Sequence, residues 1–203
     1  MAHGTFTDDP EVVWLTERRA PDRGMRLLAP FSFIDPAGKT WGVPAAYVVN
    51  GASIPRALWT LVGSPYTGDY RRASIVHDKA CDDAKGNSRA RRAADRIFYH
   101  ACRAGGCSVA EATLLYIGVR IGALAPSVPA WRRASTSARE GPRLHRTAAE
   151  ERLEADFRLV AERVLEEGEA DDPREIERRT DRALTLVTGV RVRGASRRRP
   201  RRR

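Results

Sequence analysis

The chain is short of cysteine: among 203 residues there are three, Cys81, Cys102 and Cys107. An odd, sparse set makes no disulfide framework, so the fold must be held by its core. The opening residues, MAHGTFTDDPEVVW, lack a basic segment followed by an apolar run, and no secretory signal is read there. No uninterrupted apolar run of about 18 residues stands out, so no membrane span is expected. There is no internal repeat. Histidine is sparse too: His3, His77, His100 and His145 sit too far apart in pattern for a histidine-rich nucleotide-hydrolysing metal site. These absences point to a cytoplasmic protein, or one made in the cytosol and released by another route, such as a virion component.

Acid is missing from one stretch. From Val190 to Arg203 there are eight arginines and no aspartate or glutamate. Removing those charges from the formal net charge of +10 leaves +2, so the basicity belongs to a tail and not to the body. Such an arm is expected to be disordered and to meet an anionic partner, nucleic acid or a charged surface, when it is more than a solvated solubility tail. It has no interleaved aromatics, and the chain shows no helix-turn-helix or zinc-finger pattern.

What is present reads as a small α+β body, helix-dominated. Residues 25–50 predict a β-hairpin around Asp35-Pro36-Ala37-Gly38, a type I turn with proline second and glycine fourth. Asn50-Gly51 forces a tight loop, after which Ser53 is expected to cap a short helix with Pro55 in its first turn. Three helices follow, an antiparallel core. The first spans roughly 69–84. The second runs from Ser88 as cap to Ala104, ended by Gly105-Gly106. The third opens on a Ser108/Glu111 capping box and is apolar nearly all round, as a buried central helix should be. The division expected is 1–24 as an N-terminal segment, 25–125 as the core domain, 126–145 as a linker rich in Ser, Pro and Arg, 146–188 as an accessory αα-hairpin, and 189–203 as the Arg-rich tail. In the hairpin Leu153, Phe157, Val160 and Val164 form one seam, and Ile176, Ala183, Leu184 and Val187 the other.

The stretch ASIVHDKACDDAK, residues 73–85, puts a histidine in the middle of a helix's apolar face. Residues three and four away from His77 are Ala73, Ser74, Ala80 and Cys81, so the ring should point inward, while Asp78, Asp82 and Lys85 share a wetter face. On the next helix Asp95 shares its face with Ala94, Phe98, Ala101 and Cys102, also inward. A buried carboxylate and a buried imidazole both need partners. The short connection at Gly86-Asn87 makes the helices antiparallel, and pairing His77 with Asp95 satisfies both. That pairing fixes the tautomer, as a general base requires. Asp78, beside the ring's free edge, could hold a hard cation with backbone carbonyls of Asn50, Gly51 and Ser53. The alternative is a structural histidine whose pair with Asp95 only holds the helix hairpin together.

Two resemblances go with these residues. NGASIPRALW, GSPYTGDYRRASIVHD and ADRIFYHAC, in that order, resemble a domain-of-unknown-function family common in phage and prophage genomes, over roughly residues 25–125. The helix pair is similar to the core of the secreted phospholipase A2 enzymes, where a His-Asp dipeptide supplies base and calcium ligand and an aspartate on the partner helix orients the histidine. That resemblance implies His77 as base, Asp95 as its orienter, and Ca2+ on Asp78 with carbonyls from Asn50, Gly51 and Ser53 or from the Gly63-Ser64-Pro65 turn. The substrate implied is an ester in lipid or envelope material. This sequence has Cys81 where that family has a tyrosine, and its thiols are spaced too far apart to link the two helices. The competing expectations are therefore a calcium-dependent ester hydrolase, a non-catalytic phage structural or assembly protein, and a nucleic-acid binder acting through its tail.

Overall fold

The computed structural model describes residues 2–16, 24–51, 53–63, 67–132, 134 and 146–192. Six short strands come first: β1 (Thr5–Phe6), β2 (Val12–Trp14), β3 (Met25–Leu27), β4 (Phe31–Ile34), β5 (Thr40–Val43) and β6 (Val48–Val49). They form two antiparallel three-stranded sheets, ordered β1-β4-β5 and β2-β3-β6. The hairpin is the expected one, with Phe33 opposite Trp41 and Ile34 opposite Thr40. Its turn closes through the Gly38 N–H donating to the Asp35 carbonyl at 2.9 Å. The Asp35 carboxylate accepts from the Ala37 and Lys39 N–H groups and from the Trp41 indole. Phe31 and Phe33 alternate inward. Residues 25–49 hold four strands where the sequence pattern predicts two. The N-terminal segment adds β1 and β2, pairs of two and three residues, too short to leave a period-two pattern.

Among the described residues six helices follow: α1 (Trp59–Val62), α2 (Arg71–Asp83), α3 (Ser88–Gly105), α4 (Val109–Leu124), α5 (Ala148–Glu166) and α6 (Pro173–Thr188). Two caps differ from expectation. Asn87, not Ser88, caps α3, its side chain accepting from Arg89 and Ala90 N–H groups. A 3-10 turn at Arg56–Leu58 leads into α1 after Pro55, and no side chain caps either. The Ser108/Glu111 capping box on α4 is present. Gly106 ends α3 with φ of 116°, a left-handed value that favours glycine.

Helix α4 sits at the centre, with Ala112, Tyr116, Ile117, Val119 and Ile121 fully buried. By length and composition alone the 19 residues Val109–Ser127 pass for a bilayer span, a test that a buried core helix also passes. With 56 % of that stretch buried, it has the character of a core helix. Gly122 lets the chain at Ser53 pass against α4: a β-carbon there would lie 1.9 Å from the Ser53 carbonyl oxygen.

The stretch expected as a linker begins inside the core. Two 3-10 turns, Ala125–Ser127 and Pro129–Trp131, deliver a fully buried Trp131 whose indole N–H donates to Asp156 of α5 at 2.8 Å. The α5–α6 hairpin closes the body, burying Leu153, Phe157, Val160, Val164, Ile176, Ala183 and Leu184. Residues 135–145 of the expected linker, Ala52, Ser64-Pro65 of the alternative carbonyl turn, and residues 193–203 of the expected disordered tail lie outside the described residues.

Candidate functional site

His77 and Asp95 meet between α2 and α3. The ring Nε2–H donates to Asp95 Oδ1 at 3.0 Å, and neither side chain has any exposed surface. The carboxylate has two further partners: Arg91 Nε donates to the same oxygen at 3.2 Å, and Arg120 Nη1 donates to Oδ2 at 2.9 Å from α4. Burial alone would raise the Asp95 carboxyl; the His77 hydrogen bond and the nearby cations outweigh it and hold the group at about 2. Burial pushes His77 down, against the pull of Asp95, so the ring is neutral. With Arg120 and Arg91 already balancing the carboxylate, a third cation is not required.

Arg120 connects this pair to the C-terminal hairpin. Its Nη2 donates to Asp181 of α6 at 3.1 Å. Arg92 donates to Glu177 at 2.7 Å and Asp181 at 2.5 Å, and Arg96 donates to Glu177 at 2.7 Å. The charges of α6 therefore neutralise three arginines, two of them buried. One signal for this was legible: Arg120 is a lone cation inside LLYIGVRIGALA, and a cation on a buried helix needs a buried anion.

Asp78 departs from expectation. It is not on the wet face with Asp82 but buried, 9 % exposed, under the loop after β6, and its Oδ2 accepts the Asn50 N–H at 2.9 Å. Burial raises its carboxyl to about 6, only partly opposed by that hydrogen bond. Asp82 stays exposed and takes the Tyr47 hydroxyl at 2.7 Å. The loop thus offers Asp78 a donor. The Ser53 carbonyl packs against α4 at Gly122, and Gly51 is buried. This is not the cage of six to eight oxygens that Ca2+ prefers.

Cys81, one turn after His77, sits with its sulfur 3.3 Å from Nε2 and 3.7 Å from Nδ1. Burial foremost raises the thiol to about 12, so it is no thiolate nucleophile at neutral pH. All three cysteines are free. Four surface clefts, of about 540, 270, 310 and 260 Å³, are not lined by His77, Asp78, Cys81 or Asp95.

A second cluster at the far end of α3 escaped the sequence pattern, because its parts come from three distant segments. Asp171, in the α5–α6 connection, accepts from Arg103 Nε and Nη2 at 3.0 Å each, from the Tyr99 hydroxyl at 2.9 Å and from His3 Nε2 at 3.0 Å. His3 and His100 approach Nδ1 to Nδ1 at 3.2 Å.

Residues 25–119 match the family described as Protein of unknown function (DUF1353). Two curated proteins of Sinorhizobium fredii (strain NBRC 101917 / NGR234) are similar to the chain. The uncharacterized protein y4jT is 36 % identical over 116 residues, 57 % of this chain and 33 % of its own length. The uncharacterized protein y4iH is 36 % identical over 93 residues, 46 % of this chain and 38 % of its own. The chain thus spans little more than a third of the length of these relatives. No solved structure matches it.

Proposed function

We propose that this chain is a non-catalytic assembly component of phage or prophage type, in which a rigid helical body positions a basic tail against DNA or another polyanion. The observation that carries this reading is the sealing of the His77–Asp95 pair: both side chains are fully buried. Both carboxylate oxygens are engaged by arginines as well. A base with no surface open to a water-sized probe cannot activate water, whereas the same contacts are what a lock between α2, α3, α4 and α6 requires. The match to one segment of much longer relatives is how a module carried in different chains looks. The charge balance supports the tail's role, since eight of the ten net positive charges lie beyond Gly189. The test is duplex-DNA binding by fluorescence anisotropy across a salt series. The full chain is expected to bind with an affinity that falls by about 0.9 decades per decade of salt for each phosphate engaged, and ending the chain at Gly189 is expected to remove binding. Binding that survives the truncation, or no binding at low salt, overturns the tail's role.

A second reading has one observation in its favour. The Nε2-to-Asp95 contact at 3.0 Å, with Asp78 next in sequence, is the arrangement an ester hydrolase of phospholipase A2 type would use. In that reading the Asn50–Ser53 loop has to move, opening a path to His77 Nδ1. Mixed-phospholipid hydrolysis, assayed with Ca2+ and with chelator, decides: chelator-sensitive turnover that disappears in His77→Ala supports it, and its absence removes it.

A further inference from the structure

We propose that His77, Cys81 and Asp95 form a binding site for a soft divalent metal ion of the Zn2+ class. His77 and Cys81 are four residues apart on α2, so a single helical turn presents imidazole and sulfur on one face. Asp95 arrives from α3. His77 Nε2 lies 3.0 Å from Asp95 Oδ1 and 3.3 Å from Cys81 Sγ, and the three ligand atoms all fall within 4.8 Å of one another. Around a tetrahedral zinc with bonds of about 2.0–2.3 Å, ligand atoms sit roughly 3.3–3.6 Å apart. The Cys81 sulfur and Asp95 Oδ1 close the triangle within 4.8 Å, so the ion has to draw these two together and displace Arg91 Nε from Oδ1.

The donor set decides the metal class. Imidazole and thiolate favour zinc and its neighbours over calcium or magnesium, which take oxygen. The protons balance simply: the Cys81 thiol gives one to solvent, and the imidazole keeps its own by moving it from Nε2 to Nδ1. Arg120, on the other carboxylate oxygen at 2.9 Å, stays in place and orients Asp95 as an outer-shell partner. A second observation points the same way. Arg91 acts electrostatically on Cys81, and its Nη2 is buried with no acceptor. A thiolate at Cys81 would supply a negative acceptor in that neighbourhood. Cys81 is the half-buried member of the trio, so the ion enters from its side. A metal here would take the Nε2 that the hydrolase reading assigns to Asp95, and it stands independently of the tail's DNA binding.

The experiment is a Co2+ titration of the full, chelator-stripped chain, followed by absorption spectroscopy. One equivalent is expected to bind with a sulfur-to-cobalt charge-transfer band that Zn2+ abolishes by displacement. The band is expected to vanish in Cys81→Ser and Cys81→Ala, both checked for native thermal unfolding in chelator, and to persist in Cys102→Ser and in His3→Ala. His77→Gln is expected to weaken binding by at least tenfold. Stoichiometric cobalt without a sulfur band, a band that survives Cys81→Ala, or no uptake at one equivalent overturns the site. A band lost in His3→Ala would do the same, because it would place the ion at the His3–His100 pair.

Discussion

Helix α3 carries one histidine–carboxylate–arginine cluster at its middle and another toward its C-terminal end, and the two behave differently. Around Asp95 the carboxylate is on the helix and fully buried, and the cations converge on it from α3 and α4. Around Asp171 the helix supplies Arg103, Tyr99 and His100, while the carboxylate comes from a loop and is 36 % exposed. Both acids are held at about 2, each against the upward push of burial. The similar values conceal different energetics. Water can replace any partner Asp171 loses, whereas Asp95 has only protein around it. Burial therefore decides what each contact is worth, and chemical identity does not.

The largest test removes a cation from the buried cluster. Arg120→Ala leaves Asp95 short of a partner and Asp181 without its Arg120 bond, and unfolding in urea is expected to show a loss of about 3–5 kcal/mol. Arg120→Lys should recover only part, because one ammonium cannot serve both carboxylates with the planar fork of a guanidinium. A loss under about 1 kcal/mol for the alanine variant would erase the distinction between the two clusters.

A middle-sized effect of opposite sign comes from Asp78, a buried acid with no arginine bonded to it among the described residues. Its carboxyl is raised from 3.8 to about 6 by burial. A raised acid favours the folded state fully below the unfolded value, and that contribution is lost as pH climbs through the folded one. Asp78→Asn, which keeps an acceptor for the Asn50 N–H, should therefore match the parent near pH 3.5 and exceed it above pH 6. The gain has a ceiling of about 3 kcal/mol, read from urea midpoints of the metal-free proteins. An unchanged pH slope in the variant would show that Asp78 is ionised at ordinary cost.

The smallest effect belongs to the exposed cluster. Asp171→Asn is expected to cost under about 1 kcal/mol at neutral pH. Its acid is depressed, so the contribution is present above the unfolded value and fades as pH falls toward 2. Thermal melts of parent and variant should therefore converge at pH 2–3.

The sequence pattern was most informative where one helix's periodicity answered the question. The inward faces of His77 and Asp95, the capping box at Ser108 and the hairpin at Asp35–Gly38 are all local, and each is present. It failed where partners come from far along the chain. Asp78 looked solvated because helical periodicity knows nothing of the loop laid over it at Asn50. Trp131, whose bulk suits the core, is buried as expected, but its partner Asp156 lies 25 residues further on in α5. Arg92 and Arg96 meet their partner Glu177 only because α6, some eighty residues on, packs against α3. His3 and His100 lie 97 residues apart in sequence, yet the pairing of β1 with β4 holds His3 beside α3.

The contacts of α6 also bear on where this chain can be cut. Glu177 and Asp181 lie some sixty residues past the end of the family-matched segment, yet they hold Arg92 and Arg96 inside it and Arg120 just past its end. A fragment stopping at Leu124 would present a raw basic scar there, together with the greasy seam that Leu184 and Phe157 now cover. Excision at the end of α4 is therefore a recipe for insoluble material, and any transplant of the segment has to bring its two acidic clasps along.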